Sequence, residues 1–126
     1  MRAIYANLCP NCGGSISDER LMTGLVSEKC LESSVPRKQL FKQLLLRGNL
    51  KGLRKLYDLT KLYRKFEKFF KKIIGSRPWA LQEVWAKRIF LKRNFAIVAP
   101  TGVGKTVLGC IMALFLSKFG KKSYII

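Results

Sequence analysis

The eight residues Ala99-Pro100-Thr101-Gly102-Val103-Gly104-Lys105-Thr106 constrain this chain more than any other stretch. They follow the pattern A-x-x-x-x-G-K-T, a phosphate-binding loop with Ala in place of the first Gly. Phosphates carry dense negative charge and need several short hydrogen bonds at once. A Gly-containing loop lets successive backbone N–H groups turn inward without Cβ clashes. In such a loop Lys105 reaches the β- and γ-phosphates of a triphosphate, and the Thr106 hydroxyl takes a place on Mg²⁺. The flanks agree. Phe95-Ala96-Ile97-Val98 is a short apolar run suited to a buried parallel strand. Val107, Leu108, Ile111, Met112, Leu114, Phe115 and Leu116 then make a largely apolar helix that ends near Gly120. Strand, loop and helix together are the context that separates a triphosphate site from a chance match.

The charge is large and uneven. The chain carries 25 Lys+Arg against 7 Asp+Glu, a formal +18 over 126 residues. Residues 1–35 are near neutral, whereas residues 36–95 hold 18 basic and 3 acidic residues, a net of +15. Such a stretch repels itself in isolation and asks for a polyanionic neighbour, DNA or RNA; the rival account is a solvated face balanced by acidic sequence elsewhere. No apolar run is long enough to cross a bilayer, and the first residues lack a signal-peptide hydrophobic segment. A soluble, cytoplasmic monomer away from membranes is expected.

Cys9-Pro10-Asn11-Cys12-Gly13-Gly14 reads as half of a zinc knuckle. The tight Cys-x-x-Cys turn points both thiolates at one ion, and Gly allows the positive φ the turn needs. A structural zinc takes four ligands, so a second pair should follow. Val26-Ser27-Glu28-Lys29-Cys30 has the spacing, but Ser27 stands where the third cysteine belongs. A Ser hydroxyl is a poor zinc ligand beside a thiolate. Three readings stay open: zinc held weakly by Cys9, Cys12 and Cys30 with water or another group; a degenerate knuckle held by packing; or a disulfide from Cys9 or Cys12 to Cys30. Zinc is preferred, because metal binding is the usual use of that turn in cytosolic proteins. Cys110, inside the apolar helix, reads as a buried small hydrophobe.

Ser33-Ser34-Val35-Pro36 is a break and a helix start, with Ser34 as cap and Pro36 in the first turn. Leu40, Phe41, Leu44 and Leu45 repeat at helical spacing until Gly48-Asn49. A second helix is expected from near Leu50 through Leu59, and a third over Leu62, Tyr63, Phe66, Phe69, Phe70, Ile73 and Ile74. Arg64, Lys65, Lys68, Lys71 and Lys72 interleave with that last stripe and give the helix a basic face. The rings could stack on bases, but their helical spacing points to the core, leaving the lysines for phosphates. Gly75-Ser76 closes this helix and Pro78 suits the first turn of the next. On that next helix Leu81, Trp85 and Ile89 share one face and Gln82 is displaced from it. A Gln amide offers both an acceptor and a donor, which match the adenine N6 amino group and N7; on sequence alone a surface Gln is the plainer account. Lys121 to Ile126 begins a second strand. One crossover and two strands cannot bury a parallel sheet on both faces, and no acidic residue follows the loop to hold Mg²⁺ and water. The loop therefore reads as the start of a larger nucleotide-binding domain.

Taken together these features resemble the N-terminal region of reverse gyrase, a family that fuses a helicase-like ATPase to a type IA topoisomerase and introduces positive supercoils into DNA. The resemblance covers the whole chain. It rests on residues 9–14, Asp18-Glu19-Arg20, Gly24-Leu25, Cys30-Leu31, Trp79 with Leu81-Gln82, Trp85-Ala86-Lys87-Arg88 and residues 99–106. It implies that Gln82 is the adenine-reading Gln of the family's Q motif. It implies too that Cys9, Cys12 and Cys30 are zinc ligands of an N-terminal finger linked to DNA contact and to coupling between halves. Ser27 departs from the family's fourth cysteine, and Ile74 stands where the family has an adenine-stacking aromatic. A hyperthermophilic source is implied as well.

The expected architecture is α/β: a small cysteine zinc-finger region over 1–35, a basic helical connector with the Q motif over 36–93, and over 94–126 the first strand–loop–helix unit of an incomplete RecA-like parallel-sheet domain. The expected cofactors are ATP, Mg²⁺ and weakly held Zn²⁺, with DNA and the rest of the helicase-like and topoisomerase domains as partners. ATP is held by Gln82 and residues 99–106, Mg²⁺ by Thr106, and no catalytic residue lies in the chain, which alone is expected to be inactive. Two rivals remain: the N-terminal part of another superfamily-two helicase, and a non-enzymatic nucleic-acid-binding finger whose phosphate loop is a remnant.

Overall fold

The computed structural model describes residues 2–23 and 25–124. Two compact units meet in sequence between Tyr57 and Asp58, each with its own apolar core. In the first, β1 (Ile4–Tyr5) pairs antiparallel with β2 (Ile16–Ser17), Ile4 opposite Ser17 and Tyr5 opposite Ile16. The Cys9–Gly14 turn lies in the connection between them. Helix α1 (Asp18–Thr23) follows β2 directly; a 3₁₀ turn at Arg37–Gln39 leads into α2 (Leu40–Leu46). Ile16, Val26, Leu31, Leu40, Leu44 and Leu50 close around the buried Cys9 and Cys30.

Helix α2 stops where its sequence says it should. Gly48 takes φ +67°, a conformation that disfavours side chains, and its N–H donates to the Leu45 carbonyl while Asn49 N–H donates to Leu44. This paired arrangement satisfies two carbonyls that the helix end would leave bare. The start differs from expectation. Ser34 does not cap it; the chain enters from Pro36, with no side-chain hydrogen bond at the cap, and the Pro36 carbonyl takes the Gln39 N–H instead.

Helix α3 (Arg54–Ile74) is one helix of 21 residues where two were expected. Gly52 lies ahead of it and no Gly or Pro stands between Leu53 and Ile74, so nothing breaks the run. Its C-terminal Gly75 sits at φ +87° and donates to the Lys71 carbonyl. Tyr63, Phe66 and Phe70 are buried against Trp85 and Ala86 of α4 (Ala80–Phe90) and Leu108, Ile111, Met112 and Phe115 of α5 (Lys105–Ser117). The rings of α3 are thus core, as their spacing indicates. Ile73 and Ile74, at the end of the same stripe, are exposed. The opposite face of α3 presents Lys61, Arg64, Lys65, Lys68, Lys71 and Lys72, all exposed.

Four local expectations change. On α4, Gln82, Trp85 and Ala86 face inward and Leu81 is 43% exposed, because the fully buried Ala86 moves the centre of the face away from Leu81. Residues 95–98 form no strand. Phe95 and Ile97 pack partly against the core while Val98 is 95% exposed, and a parallel strand exists only by pairing, for which the described residues supply no neighbour. Cys110 is exposed, since burial at 108, 111, 112 and 115 places position 110 on the outer side of α5. Residues 121–124 form no strand either; Ile125 and Ile126 of that expected strand, like Gly24, lie outside the described residues. Among the described residues the only sheet is β1–β2, and no helix is long and apolar enough to cross a membrane.

Candidate functional site: metal centre and nucleotide loop

The first unit gathers Cys9, Cys12 and Cys30 with all three Sγ atoms within 4.8 Å of one another. Cys9 and Cys30 are buried with their sulfurs 3.8 Å apart, while Cys12 is at the surface. The four cysteines are free thiols, so the disulfide alternative is not realised. Each cluster sulfur is met by an N–H donor: Ser27 N–H to Cys9 at 3.3 Å, Gly14 N–H to Cys12 at 3.4 Å, and Asn11 Nδ2 to Cys30 at 3.2 Å. Donors aimed at sulfur favour the thiolate, the form that binds metal. Burial pushes the Cys9 thiol up, but N–H groups of Cys12, Ser27 and Asn11 and the Ser27 hydroxyl outweigh it and bring it down to about 6. At Cys30 burial wins over the Ser27 and Asn11 hydrogen bonds, and the thiol is raised. Three convergent sulfurs, each with a fixed N–H donor, form a donor set that fits zinc.

Asn11 is the residue that sequence reading passed over. It is a buried side chain between Cys9 and Cys12, and its Nδ2 reaches both Cys30 Sγ and the Asn49 carbonyl, the latter at 2.7 Å. Its Oδ1 accepts the Lys51 N–H at 2.9 Å and its carbonyl accepts the Gly52 N–H at 2.7 Å. A Cβ at Gly52 would sit 2.6 Å from the Pro10 carbonyl oxygen, so only glycine permits that approach. The one signal available in sequence was a large amide inside a turn that requires only small or bent residues. Arg20, also buried, hydrogen-bonds through Nη2 to the Leu31 carbonyl and lies 3.9 Å from Glu28, bracing the turn at 27–30 from behind.

In the second unit the loop at 99–104 leads straight into α5. Gly102 and Gly104 take φ +86° and +80°, and Lys105 is the first residue of the helix. Lys105 Nζ donates to the Ala99 carbonyl at 2.5 Å, closing the loop on itself. Pro100, Thr101 and Thr106 are exposed and Val103 is half-buried. Gln82 is only 5% exposed, not a surface residue: its Oε1 accepts the Trp79 N–H at 2.9 Å, and its Nε2 donates to the Gly104 carbonyl at 3.2 Å. Partners of opposite polarity fix which way the amide points. The positive φ favours glycine at 104, and a Cβ there would lie 2.4 Å from Gln82 Nε2 and push the amide aside. A cavity of about 270 Å³ opens beside these residues, lined by Ile74, Arg77, Trp79, Gln82, Gly102 and Gly104 among others. Trp79 entered the sequence analysis only through the family pattern it shares with Gln82, and Arg77 not at all; its place five residues before Gln82 is the signal that finds it.

Comparison with known proteins bears on both sites. The family model described as reverse gyrase zinc finger matches residues 1–47. The chain aligns over its whole length with reverse gyrase 1 of Aquifex aeolicus at 51% identity and with the reverse gyrase of Thermococcus kodakarensis at 44%. Its homologues along the full chain are reverse gyrases. It is also 42% identical, over 98% of its length, to the reverse gyrase of Methanocaldococcus jannaschii. It spans about a tenth of the length of these reverse gyrases, 11% of the first and 8% of the other two. The zinc-finger match takes in Cys9, Cys12, Ser27 and Cys30 and ends within the Leu40–Arg47 segment, ahead of the Asn49–Gly52 contacts with Asn11.

Proposed function

We propose that this chain is the DNA- and ATP-binding N-terminal part of an ATP-dependent type IA topoisomerase that introduces positive supercoils. The observation that carries this reading is identity to reverse gyrases along the full chain rather than over the loop alone. The zinc-finger match at residues 1–47 favours it over another superfamily-two helicase.

In this reading residues 99–106 are the phosphate loop of a RecA-like unit. ATP lies with its phosphates at the N-terminus of α5, where the helix dipole and the free N–H groups favour anions. The Lys105 ammonium has three donors and spends one on Ala99, so two remain for phosphate oxygens, and Thr106 completes the Mg²⁺ shell. Gln82 keeps one N–H and one lone pair beyond its bonds to Trp79 and Gly104, enough to pair with adenine N7 and N6. Ile74 and Trp79 supply apolar contact to the base in the neighbouring cavity. Lys105→Ala is expected to weaken binding of a fluorescent ATP analogue by about 10- to 100-fold, the range for a lost charge-assisted contact. Unchanged binding would remove the phosphate-loop assignment. No acidic residue follows the loop, so the 126-residue chain binds ATP without turnover; steady hydrolysis by the pure chain contradicts this part of the reading.

DNA binds, on this proposal, through basic residues of 37–93, chiefly the exposed face of α3. Glu67 and Glu83 pair with Arg77 and Lys87, and among the described residues none of the six basic groups on that face pairs with a carboxylate. If four of them meet phosphates, affinity for duplex DNA should fall about a hundredfold between roughly 50 and 200 mM salt. A flat salt response would return the charge to a solvated face. Zinc is held by Cys9, Cys12 and Cys30, where it ties the two turns of the finger together.

A further inference from the structure

We infer that Ser27 is the fourth zinc ligand, making this finger a three-sulfur, one-oxygen site. The inference rests on the reading that Cys9, Cys12 and Cys30 hold zinc, and it concerns the vertex that those three leave open.

The first observation is where the hydroxyl points. Ser27 is fully buried, and the hydrogen bonds of its Oγ go to sulfur: Cys12 at 3.4 Å and Cys30 at 3.5 Å. Its backbone N–H bonds the third sulfur, that of Cys9, at 3.3 Å. One residue thus touches all three candidate ligands. A buried hydroxyl normally finds a carbonyl or carboxylate, and one aimed into a sulfur cluster has been brought there by the chain.

The second observation is the spacing. Zinc–sulfur bonds of about 2.3 Å in a tetrahedron place two sulfurs roughly 3.8 Å apart, and an oxygen bound at about 2.0 Å lies roughly 3.5 Å from each sulfur. Cys9 and Cys30 are 3.8 Å apart, and Ser27 Oγ is 3.4 and 3.5 Å from Cys12 and Cys30. Three of the six edges of such a tetrahedron already have its lengths.

The third observation is the backbone. In the first turn Cys9 precedes Cys12 by three residues, and its carbonyl accepts the N–H of Gly13 at 2.9 Å. In the second turn Ser27 precedes Cys30 by three residues, and its carbonyl accepts the N–H groups of Cys30 and Leu31 at 3.0 and 3.2 Å. Ser27 therefore occupies in one turn the place that Cys9 occupies in the other. The turn delivers whatever side chain stands at 27 to the same vertex, and the hydroxyl fills it.

An oxygen donor among thiolates makes a harder, less tightly binding site for zinc than four sulfurs would. Affinity of the 126-residue chain for Zn²⁺, read by competition with a chromophoric chelator, should fall about tenfold or more in Ser27→Ala and rise about tenfold or more in Ser27→Cys. X-ray absorption of the zinc-loaded chain should show three sulfurs and one light atom, with the light atom displaced by sulfur in Ser27→Cys. Should Ser27→Ala fail to fold, Co²⁺ loading decides. Sulfur-to-cobalt charge-transfer absorption scales with the number of thiolates, so Ser27→Cys should raise it by about a third. Full zinc affinity in Ser27→Ala, or unchanged cobalt absorption in Ser27→Cys, overturns Ser27 as a ligand and leaves the three-cysteine reading standing. Absence of zinc and cobalt binding in every variant overturns the metal site itself.

Discussion

Cys30→Ala is expected to abolish zinc binding and to unfold residues 1–57. Cys30 is at once a proposed ligand and part of the apolar core, lying among Cys9, Asn11 and Ser27. The unit it serves is short, with two-residue strands, a six-residue helix and a seven-residue helix. A core of that size rarely supplies more than about 3–5 kcal/mol, whereas a structural zinc contributes on the order of 10–16 kcal/mol. Removing one of the proposed thiolates therefore takes away the ion on which so small a core depends. The check is a two-dimensional amide spectrum of the 126-residue chain with zinc content measured on the same sample. Dispersed signals from residues 1–57 should collapse in the variant, and the same collapse should follow from a strong chelator on the unmodified chain. A Cys30→Ala chain that keeps both its zinc and its dispersed spectrum would sink the metal reading.

Phe66→Ala should have the largest effect on the second unit, a loss of about 3–5 kcal/mol. Phe66 is fully buried, and its ring centroid lies 5.4 Å from Phe115, 5.6 Å from Phe90, 5.9 Å from Phe70 and 6.2 Å from Tyr63. Helix α3 and both helices that pack on it meet at this one ring. Alanine would leave a cavity bordered by other aromatic rings, which cannot collapse into it without tilting out of their edge-to-face contacts. Trp85 is buried in the same cluster, so its fluorescence during urea unfolding reports the change directly. Phe66→Leu should cost much less. A loss below about 1 kcal/mol for the alanine variant would mean that the ring is not the centre of the packing.

Much of this was legible from residues alone, and the reasons differ from case to case. Gly48 and Gly75 were readable as helix ends because positive φ is a local property that glycine serves cheaply. The rings of α3 were readable as core because their spacing repeats with the helix turn. The gathering of Cys9, Cys12 and Cys30 followed from a turn geometry encoded in a few residues. What failed depends on partners. The strand expected at 95–98 requires a neighbouring strand, and apolar character cannot create one. The inward side of α4 was placed on Leu81 instead of Gln82, because the deciding residue is Ala86, whose small size matters only once another helix lies against it. The split of α3 into two came from starting a separate apolar stripe at Leu62, although no Gly or Pro separates it from Leu59. Asn11 was missed altogether, since its partners Asn49, Lys51 and Gly52 are distant in sequence.

Those Asn11 contacts close the longest loops of the finger. Its bonds to Asn49 and Lys51 close stretches of 38 and 40 residues, while Cys9 and Cys30 are separated by 21. Chain entropy resists the longer closures more, and their reward arrives only after the ends have met. Once an ion joins positions 9 and 30, the free segment from Cys30 to Asn49 is 19 residues, half the original span. Halving a loop lowers its closure cost by about 0.6 kcal/mol. On the zinc proposal, capture of the ion therefore favours the closure that lays the segment ahead of α3 onto the finger.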